Sequence, residues 1–170
     1  MGTGRGAKRR GSALIEFTIA AVPVIFVTLS IIEMSLESWK FETMVYAIEV
    51  AARYACAHGR TCTKNGNACT ITVGNVATVI NTQAPSLNPA LLNVTLATHS
   101  GTAATCNPLN SCLSTATQFP SAIDNGVGYD ITITATYPMH NPLPMMWFGN
   151  SSLAGHSFTL GAVTRQTIVY

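Results

Sequence analysis

Hydrophobic and polar positions divide the first third of the chain into two stretches. From Phe17 to Ile32 no charged residue occurs, so a helix over this stretch is apolar all round. The following stretch has apolar residues at spacings of three and four, the period of an amphipathic helix. Its apolar positions are Phe41, Met44, Val45, Ile48, Ala52 and Ala55. The two stretches predict one continuous helix from Ser12 to about His58, interrupted only by Pro23, which kinks it or removes one hydrogen bond.

The remainder of the chain predicts strands and one short helix. Residues 91–98, 129–137 and 158–168 alternate apolar and polar side chains, as strands with one buried face do. Residues 73–81 place three aliphatic side chains on one helical face. The pattern therefore predicts an α+β fold. A long N-terminal helix packs on a small antiparallel sheet of about three strands, accompanied by a short helix.

The few charges of this 170-residue chain are unevenly placed. Only 9% of the residues are charged, which is low for a soluble globular protein. Four of the nine basic residues precede Gly11, and Glu33, Glu37 and Glu42 follow the apolar stretch. This asymmetry predicts a single pass through a lipid bilayer, with the amino terminus inside and the carboxyl terminus outside. Because the body of the chain has no basic stripe, we expect no nucleic-acid partner.

A single carboxylate lies near the start of the apolar stretch. Glu16 is the fifth residue after Gly11, and Phe17 follows it. A charge costs roughly 2.5–3.5 kcal/mol at a bilayer centre, and somewhat less near an edge. An acidic side chain at this position therefore indicates a function and requires a partner. No small-residue cleavage site follows the apolar stretch, so we expect the segment to be retained.

These residues carry a resemblance to a known family. A basic leader, Gly11, four residues and then Glu16-Phe17 match the signal of type IV prepilins. The wider context resembles the TadE-like minor pseudopilins of the tight adherence (Flp) pilus system. Over residues 10–58 the resemblance includes Pro23, the dipeptide at 32–33 and the run at 51–55. The late strand at 131–138 also resembles the C-terminal region of that family.

The resemblance implies a pilin-like fold in three parts. Residues 1–11 would be a leader removed by a prepilin peptidase between Gly11 and Ser12. Residues 12–33 would form the transmembrane and assembly half of the helix, and residues 34–170 an extracytoplasmic domain. Glu16 and Phe17 would form the processing and assembly motif, with the Glu16 carboxylate paired to the amino terminus of a neighbouring subunit. TadF-like proteins of the same system remain an alternative.

The implied function is structural. The processed chain would be a minor pseudopilin of the bacterial inner membrane, able to enter the pilus. Its partners would be the peptidase, other pilin and pseudopilin subunits, and the inner-membrane assembly platform. The alternative is an unprocessed, signal-anchored extracytoplasmic binding module.

Five cysteines fit an oxidising compartment. No two of them have the C-x-x-C spacing of zinc sites, so disulfides are favoured over a metal. Turn-forming residues lie between Cys106 and Cys112 and between Cys62 and Cys69, which predicts these two bridges. Cys56 would then be the unpaired thiol. Spacing alone does not fix the connectivity.

The remaining polar residues point to no enzyme. The chain has no G-x-S-x-G nucleophile elbow. Asp124 and Asp130 flank the Asn-Gly-Val-Gly run, and a turn leading into a strand explains them better than paired catalytic carboxylates. Residues 145–148 are apolar and are expected to pack in the core; the alternatives are a patch that contacts a partner and a membrane-facing loop, and exposure would make the run an interaction site. The sequence thus predicts neither an enzymatic activity nor a cofactor.

Overall fold

A computed structural model describes residues 8–59, 69–140 and 157–169 of the chain. The chain divides into two compact units, Met1–Ser38 and Trp39–Tyr170. The helices are α1 (Lys8–Ala57) and α2 (Val73–Gln83), and the strands are β1 (Asn93–Thr98), β2 (Gly101–Cys106), β3 (Asp130–His140) and β4 (Ser157–Thr167). A turn of 3-10 helix covers Leu109–Cys112. The apolar run at 145–148, predicted to pack in the core, lies outside the described residues.

Helix α1 begins at Lys8, four residues before the predicted start, and ends at Ala57, one residue before the predicted end. The helix continues through Pro23. This is possible because proline removes only one amide donor, and the remaining hydrogen bonds of a long helix persist on both sides. The prediction of one continuous helix is confirmed.

The part of α1 that belongs to the second unit forms one side of its core. Met44 and Ile48 are 1% exposed, and the small residues Ala51, Ala52 and Ala55 are fully buried. The same core contains Ile80 and Val76 of α2 and the inward-facing residues of the sheet. Alanines on the buried face leave room for neighbouring side chains to approach the helix backbone closely. The amphipathic period read from the sequence therefore marks a true packing face.

Helix α2 forms although much of its sequence is β-branched. Its N-cap is Thr72, whose hydroxyl accepts a hydrogen bond from the Asn75 amide at 3.2 Å. The Asn75 side chain in turn accepts one from the Thr72 amide at 2.9 Å. This reciprocal capping satisfies two donors that the first turn would otherwise leave unpaired. The cap and the buried aliphatic face together offset the low helix propensity.

Within the described residues, the sheet has four antiparallel strands in the order β2-β1-β3-β4. Three of them correspond to the predicted strands, and β2 is an addition to the predicted count of about three. Four of the six β2 residues are exposed, and only Cys106 is buried. An edge strand with so little buried surface has no apolar alternation, so periodicity could not reveal it. The α+β, pilin-like arrangement is confirmed with one more strand than expected.

Candidate functional site

The residues of the predicted processing and assembly motif all belong to α1. The Gly11–Ser12 bond lies within its first turn. Ser12 precedes Glu16 by four residues, so the two positions share one face of the helix one turn apart. Glu16 and Phe17 are both exposed, Phe17 to 72%. The helix therefore exposes both side chains, which point in directions about 100° apart around its axis.

Most of the large apolar side chains in the first half of α1 are exposed. Leu14, Ile15 and Ile19 are 63–68% exposed, and values of 44–64% continue through Ile31, except at Phe26 and Leu29, which are half-buried. The helix from Ala13 contains one window long and apolar enough to cross a membrane, and none of that window is buried. Soluble proteins rarely leave so large an apolar surface in water. This half of α1 is a candidate membrane anchor.

Hydroxyl side chains in the apolar half are satisfied by the helix itself. Thr18 donates to the Leu14 carbonyl at 2.9 Å, and Thr28 donates to the Val24 carbonyl at 2.8 Å. Ser30 makes the same bond to the residue four positions earlier, and so does Ser35 just beyond the apolar half. In a hydrocarbon environment an unpaired hydroxyl is costly. These bonds make the polar residues of the segment compatible with lipid or with a neighbouring apolar helix.

One predicted disulfide is present and the other falls on an undescribed residue. Cys106, the last residue of β2, is bonded to Cys112, with 5.5 Å between their Cα atoms. That prediction is confirmed. Cys69 is disulfide-bonded, but Cys62 lies outside the described residues, so the Cys62–Cys69 bridge stays a prediction. The bridge at 106–112 fixes the end of an exposed edge strand to the short helical turn that follows it.

Cys56 is a free, buried thiol near the end of α1, as expected for the unpaired cysteine. Burial raises its pKa to about 11, and the negative charge of Asp130 adds to the shift. The thiolate is the reactive form of cysteine. At neutral pH this thiol is therefore protonated and acts as a small core residue.

A hydrogen-bond cluster around Asp124 was not foreseen from the sequence. The carboxylate is 4% exposed and accepts hydrogen bonds from Thr98 at 2.7 Å, from Ser121 at 3.0 Å and from Ser100. The Ser100 and Thr98 hydroxyls hold its pKa below the usual value. The cluster joins the β1–β2 hairpin to the turn at 121–124, beside a cavity of about 240 Å³. Ser121 is a local partner three positions before Asp124, whereas no sequence spacing links Thr98 and Ser100 to it, because the fold brings them together across more than twenty positions.

Asp130 makes a second polar link, between β3 and β4. Its carboxylate accepts hydrogen bonds from Thr167 at 2.7 Å and from Arg165, and these bonds lower its pKa. Asp124 and Asp130 therefore have separate structural partners, which agrees with the turn-and-strand interpretation. Among the described residues no group of three or more histidine, cysteine or acidic side chains could hold a metal ion.

The structure thus defines a class of protein: one candidate membrane helix at the amino terminus, together with a small α+β unit that carries a disulfide. Comparisons with known proteins add no closer identification. No family model, no curated protein and no solved structure matches the chain.

Proposed function

We propose that the protein is a TadE-like minor pseudopilin, a structural component needed for biogenesis of a tight adherence pilus. The observation that carries the proposal is the difference between the two halves of α1 along its length. Its first half exposes most of its large apolar side chains, and its continuation supplies one wall of the α+β core. A subunit stored in a membrane and then packed among other helices requires this division.

In this proposal the chain matures by cleavage between Gly11 and Ser12, catalysed by a prepilin peptidase. The new amino group of Ser12 then lies one helical turn from Glu16. A carboxylate in an apolar surround is stabilised by a cation close to it. Pairing of Glu16 with the amino terminus of an adjacent subunit offsets the cost of its burial and sets the register between subunits. Phe17 contributes apolar contact area beside that pair.

The proposed topology is a single pass through the bacterial inner membrane, with residues 34–170 outside the cytoplasm. The basic leader and the acidic residues that follow the apolar segment support this orientation. A disulfide in the second unit supports an oxidising compartment. A reporter active only outside the cytoplasm, fused after Tyr170, should be active, whereas a reporter active only inside should be silent.

The decisive experiment is the intact mass of the membrane-extracted protein, with and without the cognate peptidase. We expect the mass to fall by the leader Met1–Gly11 only when the peptidase is present, and N-terminal sequencing should begin at Ser12. A Gly11→Leu variant, which replaces the cleavage glycine, should remain uncut in the same membrane. A mature chain that keeps its leader in the presence of active peptidase would instead favour the unprocessed, signal-anchored binding module.

A further inference from the structure

The two edges of the sheet, β2 and β4, are open among the described residues. Side chains along both edges are largely exposed, and Val163 near the middle of β4 is 66% exposed. An open edge presents unpaired backbone amide and carbonyl groups, and these can pair with a further strand. Both edges therefore offer hydrogen-bonding groups that a partner could use.

Apart from one paired arginine on β4, neither edge has the charge or proline that usually prevents pairing. β2 contains no charged residue and no proline. The only charge on β4 is Arg165, and it is already bonded to Asp130 of the adjacent strand. Lysine, proline, inward charges and β-bulges are the common means of protecting an edge, and of these only a bulge-like irregularity affects β2. The pairing of β2 with β1 is irregular near Ala97, which shortens the length of β2 that can pair with a partner.

The strand order also determines which partner fits both edges. Every neighbouring pair in β2-β1-β3-β4 is antiparallel, so the two edges of this four-stranded sheet run in opposite directions. A second copy moved sideways by the width of the sheet places its β2 antiparallel to β4 of the first copy. This operation leaves both copies in the same orientation, which is compatible with their insertion in one membrane. A β4–β4 pair would instead require a two-fold axis.

We propose that β4 of one copy pairs with β2 of the next, so that the sheets of successive copies become continuous. The contact is heterologous, which generates an open row instead of a closed dimer. With so little charge on either strand, no like charges oppose each other. Val163 and Thr102 lie on the sheet face opposite the core, since their partners Thr134 and Ala97 do. Val163 then packs near the small side chains of β2.

Six residues of β2 make a short contact, so a single pair is weak. Anchoring in one membrane raises the effective concentration of the copies and compensates for that weakness. The inference goes beyond the proposed function and does not depend on leader cleavage. It can therefore fail while the pseudopilin proposal stands, or hold in an unprocessed chain.

The test uses the full-length chain in membranes, with two differently tagged copies expressed together. One copy carries Val163→Cys, the other Thr102→Cys, and a short bismaleimide joins thiols that lie close together. We expect a crosslinked species containing both tags, several-fold above the wild-type background. The control pair replaces Val163→Cys by Val169→Cys, since Val169 is similarly exposed, at 61%, but follows the end of β4.

A second measurement places a charge on the edge. With Thr167→Cys as the reporter on β4, two residues from the Arg165 position that the sideways move sets level with Thr102, Val163→Lys in the same copy should lower the crosslink to Thr102→Cys several-fold, and Val169→Lys should not. Crosslinking no stronger than in the control pair would overturn the proposal. Efficient crosslinking between two Val163→Cys copies, without the Val163–Thr102 product, would show a two-fold β4–β4 pair and would equally overturn it.

Discussion

The two halves of helix α1 have the same backbone and opposite surroundings. Ile19 in the first half is 68% exposed, whereas Ile48 in the second half is 1% exposed. Both are isoleucines in regular helix, so the difference comes entirely from what each half packs against within the chain. So large an exposed apolar surface is unusual for a helix in water, and it makes the first half a candidate membrane anchor. The second half finds apolar surroundings in its own domain, and substitutions in the two halves should therefore affect different properties.

The largest expected effect concerns Glu16. Glu16→Ala should abolish incorporation into the pilus, because the proposed pair with a neighbour's amino terminus is lost. Membrane insertion should persist, since removing a charge makes residence in lipid less costly by roughly 2.5–3.5 kcal/mol at most. Pilus yield and mature-protein level, measured in the same strain, provide the test. Glu42→Ala, which removes an exposed carboxylate further along α1, is the matched control.

Normal piliation with normal levels of Glu16→Ala protein would exclude a role of Glu16 in setting the register between subunits. Reduced protein levels for both variants would instead indicate a general effect of charge on insertion, and would also count against a specific pair.

The next effect compares the two isoleucines directly. Ile48→Ala removes a fully buried side chain and should lower the free energy of unfolding of the second unit by about 2–5 kcal/mol. Ile19→Ala should change it by less than about 0.5 kcal/mol, as an exposed position does. Denaturant unfolding of the detergent-solubilised protein, followed by circular dichroism, measures both. An equal loss in the free energy of unfolding for Ile48→Ala and Ile19→Ala would contradict the difference between the two halves of α1.

A smaller effect is expected at the disulfide of the second unit. Replacing Cys106 and Cys112 together by alanine should lower the free energy of unfolding by about 2 kcal/mol. The loss is small because the stabilisation that a disulfide provides increases with the length of the loop it closes, and this loop is short. Membrane retention should not change, because the bridge lies outside the anchoring half. Peptide mapping without reductant should recover the 106–112 bridge in the wild-type chain. The same map tests the predicted Cys62–Cys69 pair, which recovery of either residue bonded to Cys56 would contradict.

The smallest effect is a pH dependence from Asp124. Hydrogen bonds lower its pKa in the folded state, so its stabilising contribution is present above the unfolded pKa of about 3.9 and is lost as pH falls through the folded value. Asp124→Asn should therefore lower the unfolding midpoint near neutral pH and matter less as pH falls below about 4. Glu49→Gln, at an exposed ion pair with Arg53, should have little effect at any pH. A difference between Asp124→Asn and wild type that grew on acidification would contradict this assignment.

Sequence alone determined the features that depend on local pattern. The charge-free stretch is apolar all round, and the amphipathic stretch has apolar residues at helical spacing. These two patterns predicted both halves of α1, and the second predicted the buried face that contains Met44 and Ile48. Strict alternation predicted β3, where Ile131 and Ile133 face the core. Turn-forming residues within a short loop predicted the bridge at 106–112. In each case the information lies within a few neighbouring residues, where chain geometry dictates which side chains share a face.

Tertiary structure decided what depends on distant partners. β2 carries no apolar alternation, and it is a strand only because β1 supplies its hydrogen bonds. Asp124 is read locally as a turn residue, yet hydroxyl groups more than twenty positions away make it a buried, satisfied carboxylate. The opposite directions of the two sheet edges follow from the strand order, and no local pattern encodes that order. These features arise because folding brings together groups whose sequence separation carries no periodic signal.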